Sequence, residues 1–302
     1  MIVPHLTAAL LLGLSATNVA PNTANTKFST RLAIEVVEIP MDRSTGQLSI
    51  QVSIGSEGPL AFDLDTYVVT TACVDFEFAK RMGFEKVGTV MNGDGSGAVH
   101  ERDVVLIPEL RFGHATFSNV EALVDDYSWV PTPSGESIKG LLGYHLFKEL
   151  LLELDYPNER ILLRKGQLPR GGKHVITYSA LKRRPDIPVL IGSKRIVFGI
   201  DTGAEAQISM TQALSEELGL ADESVLVGTA RTVYSSSKVW TGTFTSPFTI
   251  AGHELNQVNG SFCELFKTPL IGNHLLENFS VTFDQQTGRI QFVAEQLSIA
   301  PK

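Results

Sequence analysis

The sequence predicts a mainly β protein made of two similar β-barrel lobes with short helices, and three observations lead to this prediction. Apolar and β-branched runs bounded by turn residues recur along the chain, for example at residues 48–54 and 189–200. The runs are separated by about 8–12 residues, a spacing typical of hairpins in a closed or sandwiched antiparallel sheet. The 302 residues also contain one unit twice, which agrees with two domains of about 150 residues each.

Five landmarks recur in the same order in both halves of the chain. The central one is Phe-Asp-Leu-Asp-Thr at 62–66, which aligns with Phe-Gly-Ile-Asp-Thr at 198–202, 136 positions later. The others are Ile-Gly-Ser at 54–56 and 191–193, Gly-His at 113–114 and 252–253, Leu-Leu-Gly at 141–143 with Leu-Ile-Gly at 270–272, and an Asp followed by Arg-Ile at 155–161 and 284–290. The repeat predicts an N-terminal lobe at 36–166 and a C-terminal lobe at 174–298, joined by a Gly- and Pro-containing linker at 167–173.

Helical signals within each copy are short. They predict helices at 75–82 and 211–218, and one or two helical turns after Gly143 and after Gly272. Runs such as 104–107, which are continuously apolar, predict buried strands between them.

The composition excludes several classes of protein. Hydrophobic residues make up 43% and charged residues 19% of the chain, which is enough apolar material for a folded core. The 25 Lys and Arg residues against 33 Asp and Glu residues give a net charge of −8, so no nucleic-acid partner is expected. The two cysteines, Cys73 and Cys263, are too few for a disulfide-rich scaffold or a thiolate zinc site, and one bridge between them stays open.

The first 20 residues have the pattern of a secretory signal peptide. Residues 6–16 form an uncharged apolar stretch, shorter than the ~18 residues of a transmembrane helix, and Ala16 or Ala20 offers a cleavage point. No Lys or Arg precedes this stretch, so a lightly packed N-terminal arm is the alternative. The prediction is an exported protein, periplasmic or secreted, with no membrane span once residues 1–20 are removed.

Two aspartates end apolar strands at matched positions of the repeat. Asp201 follows the apolar run 196–200, and Asp65 follows Leu64 in the first copy. An ionisable side chain at the end of a core strand is costly unless it is satisfied or used. If the copies pack about a pseudo-twofold axis, the two Asp-Thr loops meet, and two carboxylates in contact share one proton. Such a pair can activate a water molecule with one member and protonate a carbonyl or leaving group with the other.

These motifs resemble one protein family. Ile-Asp-Thr-Gly-Ala at 200–204, with Leu-Ile-Gly at 270–272, is similar to the retropepsin-like aspartyl proteases. Two copies in one chain resemble a pepsin-type bilobal arrangement of retropepsin-like lobes related by a pseudo-twofold axis, over residues 46–165 and 185–293. The resemblance implies an aspartic endopeptidase, a peptide hydrolase that acts as a monomer on peptides or proteins and uses no cofactor or metal ion.

The resemblance also implies roles for individual residues. Asp65 and Asp201 would form the catalytic dyad, and Thr66 and Thr202 would hydrogen-bond across the lobe interface. Gly203 would support the dyad, because a glycine lets its backbone approach the carboxylate closely. Residues 142–143 and 271–272 would pack beneath the two Asp loops, each before a short helix.

The first Asp-Thr loop departs from the family pattern at Tyr67, where the family has glycine. A tyrosine there either reshapes the loop or places its ring beside the dyad. We expect an active enzyme in which the ring of Tyr67 lies toward the cleft or the lobe interface. The alternative is a catalytically impaired bilobal peptide-binding protein, since function depends on the site and not on the fold.

A Gly-rich segment between residues 88 and 100 has the position of the family's substrate-covering flap. Its tip is a strong hairpin signal formed by Asn92, Gly93, Asp94, Gly95, Ser96 and Gly97. Such a hairpin can open and close over an extended peptide. The segment also fits a calcium-binding loop loosely, but its flanks are β rather than helical, and its glycines do not open a helix as a nucleotide-binding loop would.

Two further matched pairs of residues receive structural interpretations. His145 and His274 follow the repeat glycine without an acidic or Cys partner at ligand spacing, which disfavours a metal site. Asp155 and Asp284 precede polar turn residues, where an Asp accepts backbone hydrogen bonds. A carboxylate-pair glycosidase is a further alternative, which the duplicated Asp-Thr motif disfavours.

Overall fold

A computed structural model describes residues 15–17, 27–44, 46–93, 99–130, 135–178, 184–231 and 236–294. The protein is mainly β, as the sequence predicts. The predicted signal peptide lies outside the described residues except for the short strand at Ser15–Thr17. None of the helices in the described ranges has the length and apolar character that a membrane crossing requires.

The strands of the first half of the chain are β1 (Ser15–Thr17), β2 (Ser29–Leu32), β3 (Val36–Pro40), β4 (Ser49–Ile54), β5 (Glu57–Asp65), β6 (Ala72–Asp75), β7 (Glu85–Gly93), β8 (Val99–Phe112), β9 (Ala115–Asp125), β10 (Gly140–Gly143), β11 (Leu151–Asp155) and β12 (Arg160–Arg164). Those of the second half are β13 (Val175–Thr177), β14 (Asp186–Ile191), β15 (Lys194–Ile200), β16 (Ile208–Met210), β17 (Val225–Arg231), β18 (Ser236–Thr243), β19 (Phe248–Ile250), β20 (His253–Leu255), β21 (Asn259–Phe262), β22 (Leu270–Ile271), β23 (Phe279–Asp284) and β24 (Arg289–Ala294).

The helices confirm the positions that the sequence predicts. Helix α1 (Phe76–Met82) begins after Asp75, whose carboxylate accepts the backbone N–H of Phe78 at 3.0 Å. Helix α2 (Gln212–Leu218) begins after Thr211 in the same way. Both are N-caps that satisfy a free amide of the first helical turn. A 3-10 turn (Tyr144–Phe147) and helix α3 (Asn273–Leu276) follow the two repeat glycines. A second 3-10 turn spans Tyr156–Asn158.

The first sheet closes into a six-stranded barrel. Its strand order is β1-β7-β8-β4-β5-β10-β6-β9-β2, and β8 pairs with β9 as well as with β4. The ring therefore runs β8-β4-β5-β10-β6-β9 and back to β8. The pairing of β5 with β10 is parallel, which places the carboxyl ends of these two strands side by side.

The second sheet repeats this succession of neighbours. Its order is β17-β18-β21-β16-β22-β15-β14-β19-β20. Strand β15 again lies between an antiparallel hairpin partner, β14, and a parallel partner, β22. Strands β18 and β19, separated by residues 244–247, together occupy the place of the single long strand β8.

A third sheet joins the two halves of the chain. Its order is β13-β24-β23-β11-β12-β3, so that three strands come from each half and β11 meets β23 at the centre. In this central antiparallel pair, Leu151 lies opposite Asp284 and Asp155 lies opposite Ser280. Residues of this sheet, such as Leu152 and Phe283, belong to the same apolar core as residues of both other sheets.

The predicted linker is anchored rather than free. Leu168 is buried, and its backbone N–H donates to the carboxylate of Asp284 at 2.8 Å. Its carbonyl accepts from the guanidinium of Arg289 at 2.6 Å. Asp284 also accepts the backbone N–H of Thr287, as predicted for a turn aspartate. Asp155 instead accepts from side chains, those of Asn158 at 2.9 Å and Arg160 at 2.7 Å.

Cys73 and Cys263 are both buried and both free thiols. The bridge that the sequence left open is therefore not formed. Each cysteine belongs to a different apolar cluster, one in each half of the chain, and behaves as a small buried side chain.

Candidate active site

The two Asp-Thr loops meet in the structure and hold each other by reciprocal hydrogen bonds. The backbone N–H of Thr66 donates to Oγ1 of Thr202 at 3.0 Å, and the backbone N–H of Thr202 donates to Oγ1 of Thr66 at 3.1 Å. The hydroxyl of Thr66 donates in turn to the carbonyl of Ile200 at 2.8 Å, and that of Thr202 donates to the carbonyl of Leu64 at 2.5 Å. Each threonine side chain is therefore hydrogen-bonded to the loop and to the preceding strand of the other half.

This arrangement brings Asp65 and Asp201 together at the junction of the halves, with both side chains completely buried. Oδ1 of Asp65 accepts the backbone N–H groups of Tyr67 at 2.8 Å and Val68 at 3.0 Å. Oδ1 of Asp201 accepts the backbone N–H of Gly203 at 2.8 Å. Oδ2 of each carboxyl group has no hydrogen-bond partner within the described ranges. Each aspartate thus has one oxygen fixed by its own loop and one available for chemistry.

Burial raises the pKa of both carboxyl groups. For Asp65, loss of hydration is the largest cause of the raised pKa, and the two backbone N–H groups oppose it. For Asp201, loss of hydration is again the largest cause, and the negative charge of Asp65 raises its pKa further, to well above the ordinary value. The two interacting carboxyl groups therefore hold one proton between them.

The repeat glycines allow the neighbouring strands to approach the loops. Gly143 lies opposite Asp65 in the parallel β5–β10 pair. A Cβ on Gly143 would lie 2.2 Å from the carbonyl oxygen of Thr70, and a Cβ on Gly272 would lie 2.3 Å from that of Ala206. Real side chains do not fit at such distances. Residues 142–143 and 271–272 thus pack directly against the two Asp loops.

Asn273 is a supporting residue that the sequence reasoning missed. It is buried, and its side-chain amide donates to the carbonyl of Thr202 at 2.7 Å. Its side-chain oxygen accepts the hydroxyl of Tyr156 at 2.7 Å. The second loop is thereby tied to the end of β11 in the third sheet. The only signal in the sequence is its place directly after Gly272, where the first copy has Tyr144.

Two small apolar clusters flank the site. The first cluster consists of Val68, Cys73, Val104, Leu123, Tyr127, Val130, Ile138 and Leu141. The second cluster consists of Ala204, Ala230, Cys263, Leu265, Phe266 and Leu270, and it includes the ring of Tyr67. The side chain of Tyr67 therefore packs against residues of the second half.

The ring of Tyr67 occupies the space above Gly199. A Cβ on Gly199 would lie 2.2 Å from Cε2 of this ring, and the guanidinium of Arg184 lies over the ring at 5.0 Å from its centroid. Arg184 also pairs with Asp186 at 3.6 Å. Burial, followed by the negative charge of Asp186, raises the pKa of the Tyr67 hydroxyl to about 12, so the hydroxyl stays protonated. The ring thus lies at the interface of the two halves, as expected.

The expected flap falls partly within the described residues. Asn92 and Gly93 end strand β7, whereas Asp94, Gly95, Ser96 and Gly97 lie outside them. Asn92 is buried, and neither its side-chain oxygen nor its nitrogen has a hydrogen-bond partner in the described part of the chain. On the outer edge of β7, strand β1 pairs with residues 91–93.

The described ranges contain no candidate metal site. No three His, Cys, Asp or Glu side chains there are arranged to hold a metal ion. His274 is exposed at the surface, and His145 lies in the 3-10 turn after Gly143.

Replacing Thr202 by Val should destabilise the junction of the two halves. The change removes the hydroxyl that donates to Leu64 and the acceptor for the N–H of Thr66, so two buried backbone groups lose a partner. We expect a loss of about 1–3 kcal/mol in the free energy of unfolding, measured by urea denaturation. Thr202→Ser keeps the hydroxyl and is the matched control. Equal stabilities of the Val and Ser variants would contradict this role.

A double-mutant cycle tests the packing of Tyr67 on Gly199. Gly199→Ala should destabilise the wild-type protein, because the new methyl group has no room beside the ring. In a Tyr67→Ala background the same substitution should cost far less, giving a coupling free energy of about 0.5–3 kcal/mol. Urea denaturation of the four proteins measures it. Additive effects would place the ring of Tyr67 elsewhere.

The sequence matches no protein-family model, and no curated protein matches it at a significant level.

Proposed function

We propose that this protein is an aspartic endopeptidase in which Asp65 and Asp201 hydrolyse a peptide bond by activating a water molecule. The observation that carries the proposal is the pairing of two completely buried carboxyl groups at the end of matched strands, each with Oδ1 held by its loop and Oδ2 without a partner within the described ranges. Burying two carboxyl groups together is costly, and such perturbed pairs occur at functional sites.

The two aspartates take opposite roles in the reaction. In this proposal Asp65 is the ionised member of the pair, and it accepts a proton from water as the water oxygen bonds to the peptide carbonyl carbon. Asp201 donates its proton to the carbonyl oxygen, so that a neutral tetrahedral diol forms. The C–N bond then breaks as Asp65 returns its proton to the leaving nitrogen. Asp201 recovers a proton from a diol hydroxyl, and the pair is restored with one proton.

A bilobal arrangement about a pseudo-twofold axis is part of the proposal. The two sheets follow the same succession of strands, and the hydrogen bonds of Thr66 and Thr202 are reciprocal. In the central pair of the third sheet, Leu151 pairs with Asp284 and Asp155 pairs with Ser280. Asp155 corresponds to Asp284 in the repeat, and Leu151 corresponds to Ser280, so exchanging the two halves converts one pair into the other. Such exchange is what a twofold axis requires. We therefore assign lobes to 36–166 and 174–298.

The substrate in this proposal is an extended peptide, or a protein segment in that conformation. Extended chains bind such sites by backbone hydrogen bonds and alternating side-chain pockets. The side-chain amide of Asn92, at the start of the expected flap, has no hydrogen-bond partner among the described residues and is a group that can serve such a backbone. The signal-like N-terminus adds an exported location, periplasmic or secreted, where the enzyme acts as a monomer.

The second candidate function is peptide binding without catalysis. It is suggested by Tyr67, which stands where the family has glycine. One observation favours the enzyme instead. The backbone N–H of Tyr67 donates to Oδ1 of Asp65 at 2.8 Å, the same distance at which Gly203 donates to Asp201. The bulky side chain packs against the other half, so residue 67 makes the same backbone hydrogen bond to its aspartate as Gly203 does in the glycine-containing loop.

Replacing either aspartate by Asn should abolish peptide hydrolysis. The amide cannot exchange the proton, and general acid–base catalysis contributes about 10²–10⁴-fold to rate. We expect kcat/KM to fall by at least about 10²-fold for both Asp65→Asn and Asp201→Asn, measured on a peptide library by mass spectrometry. Asp103→Asn, at an exposed aspartate paired with Lys86, is the control and should retain activity. Undiminished cleavage by either dyad variant would contradict the mechanism.

The activity should have a bell-shaped dependence on pH that lies above the ordinary carboxyl range near about pH 4. Rate falls at low pH as Asp65 becomes protonated and can no longer accept a proton from water. It falls at high pH as Asp201 loses the proton that it donates. Because burial raises both pKa values, both limbs shift upward. A profile of kcat/KM from pH 3 to 8 measures this, and an optimum below the ordinary carboxyl range would be the contrary result.

A further inference from the structure

The two halves present different residues beside the dyad at equivalent positions. On β5, Phe62 and Leu64 face the main core, so Asp63 and Asp65 project from the opposite face of the strand. On β15, the residue that corresponds to Asp63 is Gly199, because each lies two positions before its dyad aspartate. One half thus has an additional carboxyl group where the other half has no side chain.

The residue that follows each Asp-Thr pair also differs between the two halves. In the second half, the ring of Tyr67 covers Gly199 and completes the second cluster. The counterpart of Tyr67 is Gly203, which has no side chain to send into the first half. Within the described ranges, the first cluster is formed by first-half residues alone. Among the described residues, no apolar side chain of the second half therefore joins the first cluster.

Asp63 lies beside the first cluster, and its carboxyl group forms no ion pair with any described residue. It is 3% exposed, it lies opposite Leu141 of the first cluster in the β5–β10 pair, and Ser49 supplies a side-chain hydrogen bond. Its Oδ1 has no hydrogen-bond partner among the described residues. The charges that act on it are those of Asp65 and Asp42, both negative, and with burial as the largest cause they raise its pKa to about 7.

Asp186 provides the contrast in the second half. It lies opposite Gly199 in the β14–β15 pair, where Ser49 lies opposite Asp63 in the β4–β5 pair. Asp186 is buried as well, but Arg184 pairs with it at 3.6 Å. Each half therefore buries one additional carboxyl group beside the dyad, and the protein supplies a cation to the one in the second half. Burial of an ionised carboxylate is expensive without such a partner.

We propose that Asp63 is a specificity-determining residue that binds the cationic end of a substrate Lys or Arg side chain next to the bond that is cleaved. This inference rests on the proposed peptidase function. Residues 63 and 65 are two apart on one strand, about 7 Å, so a cation at Asp63 belongs to a residue adjoining the bond at Asp65. Lys and Arg carry a methylene stem that packs on apolar surface while the charged end meets a polar partner. The first cluster and Asp63 match these two parts.

The test is a binding measurement with two peptide analogues that cannot be hydrolysed. Both carry a neutral hydroxyethylene group in place of the cleaved bond, and they differ in one adjoining side chain, Lys in one and norleucine in the other. Calorimetry with the wild-type protein should give at least about tenfold tighter binding of the Lys analogue, as expected for a charge-assisted hydrogen bond. Asp63→Asn should abolish this preference while the norleucine analogue binds within about threefold of wild type.

Asp186→Asn is the matched control, and it should retain the Lys preference because Arg184 already neutralises Asp186. Asp63→Ser is a second variant, which should also lose the preference. Equal binding of both analogues by the wild type, or a Lys preference that survives in the Asp63 variants, overturns the inference. The proposed function fails separately: a protein that prefers the Lys analogue but cleaves no peptide has the Asp63 site without catalysis. One that cleaves peptides without a preference for Lys or Arg has catalysis without the Asp63 site.

Discussion

The reciprocal hydrogen bonds between Thr66 and Thr202 are the interaction on which the site depends. Each hydroxyl accepts an N–H from one loop and donates to a carbonyl of the strand that leads to the other aspartate. Both loops are thus set by atoms of the opposite half. Without these reciprocal hydrogen bonds, the two carboxyl groups would not be held next to each other. Each would be a single buried carboxyl group, and no interaction would offset the free-energy cost of its burial.

The surroundings of the dyad make its geometry rigid. Gly143 and Gly272 let a neighbouring strand lie directly against each loop, and Asn273 connects the second loop to Tyr156. The third sheet joins three strands of each half into one layer. A pair of carboxyl groups that shares a proton gains from such rigidity, because small displacements would change their mutual repulsion and hence both pKa values.

Much of the architecture could be predicted because local sequence patterns determine it. The duplicated Asp-Thr landmarks predicted which strands end at the site, and helical signals over 75–82 and 211–218 located two helices. The partners that cross between the halves could not be predicted in this way. The packing of Tyr67 on Gly199, the anchoring of Leu168 on Asp284 and the burial of Asp63 depend on which strands adjoin, and no periodicity in the chain encodes that.

The contact of Tyr67 with Gly199 has a consequence for how this chain can change over time. In a symmetric homodimer every residue occurs twice, so a tyrosine at this position would require a glycine above it in both subunits. Here Asp63 holds the place that corresponds to Gly199, and Gly203 the place that corresponds to Tyr67. The two copies have therefore become complementary rather than interchangeable. An alanine at position 199 would clash with the tyrosine ring, so substitutions at the two positions are coupled, and neither half carries both members of the contact.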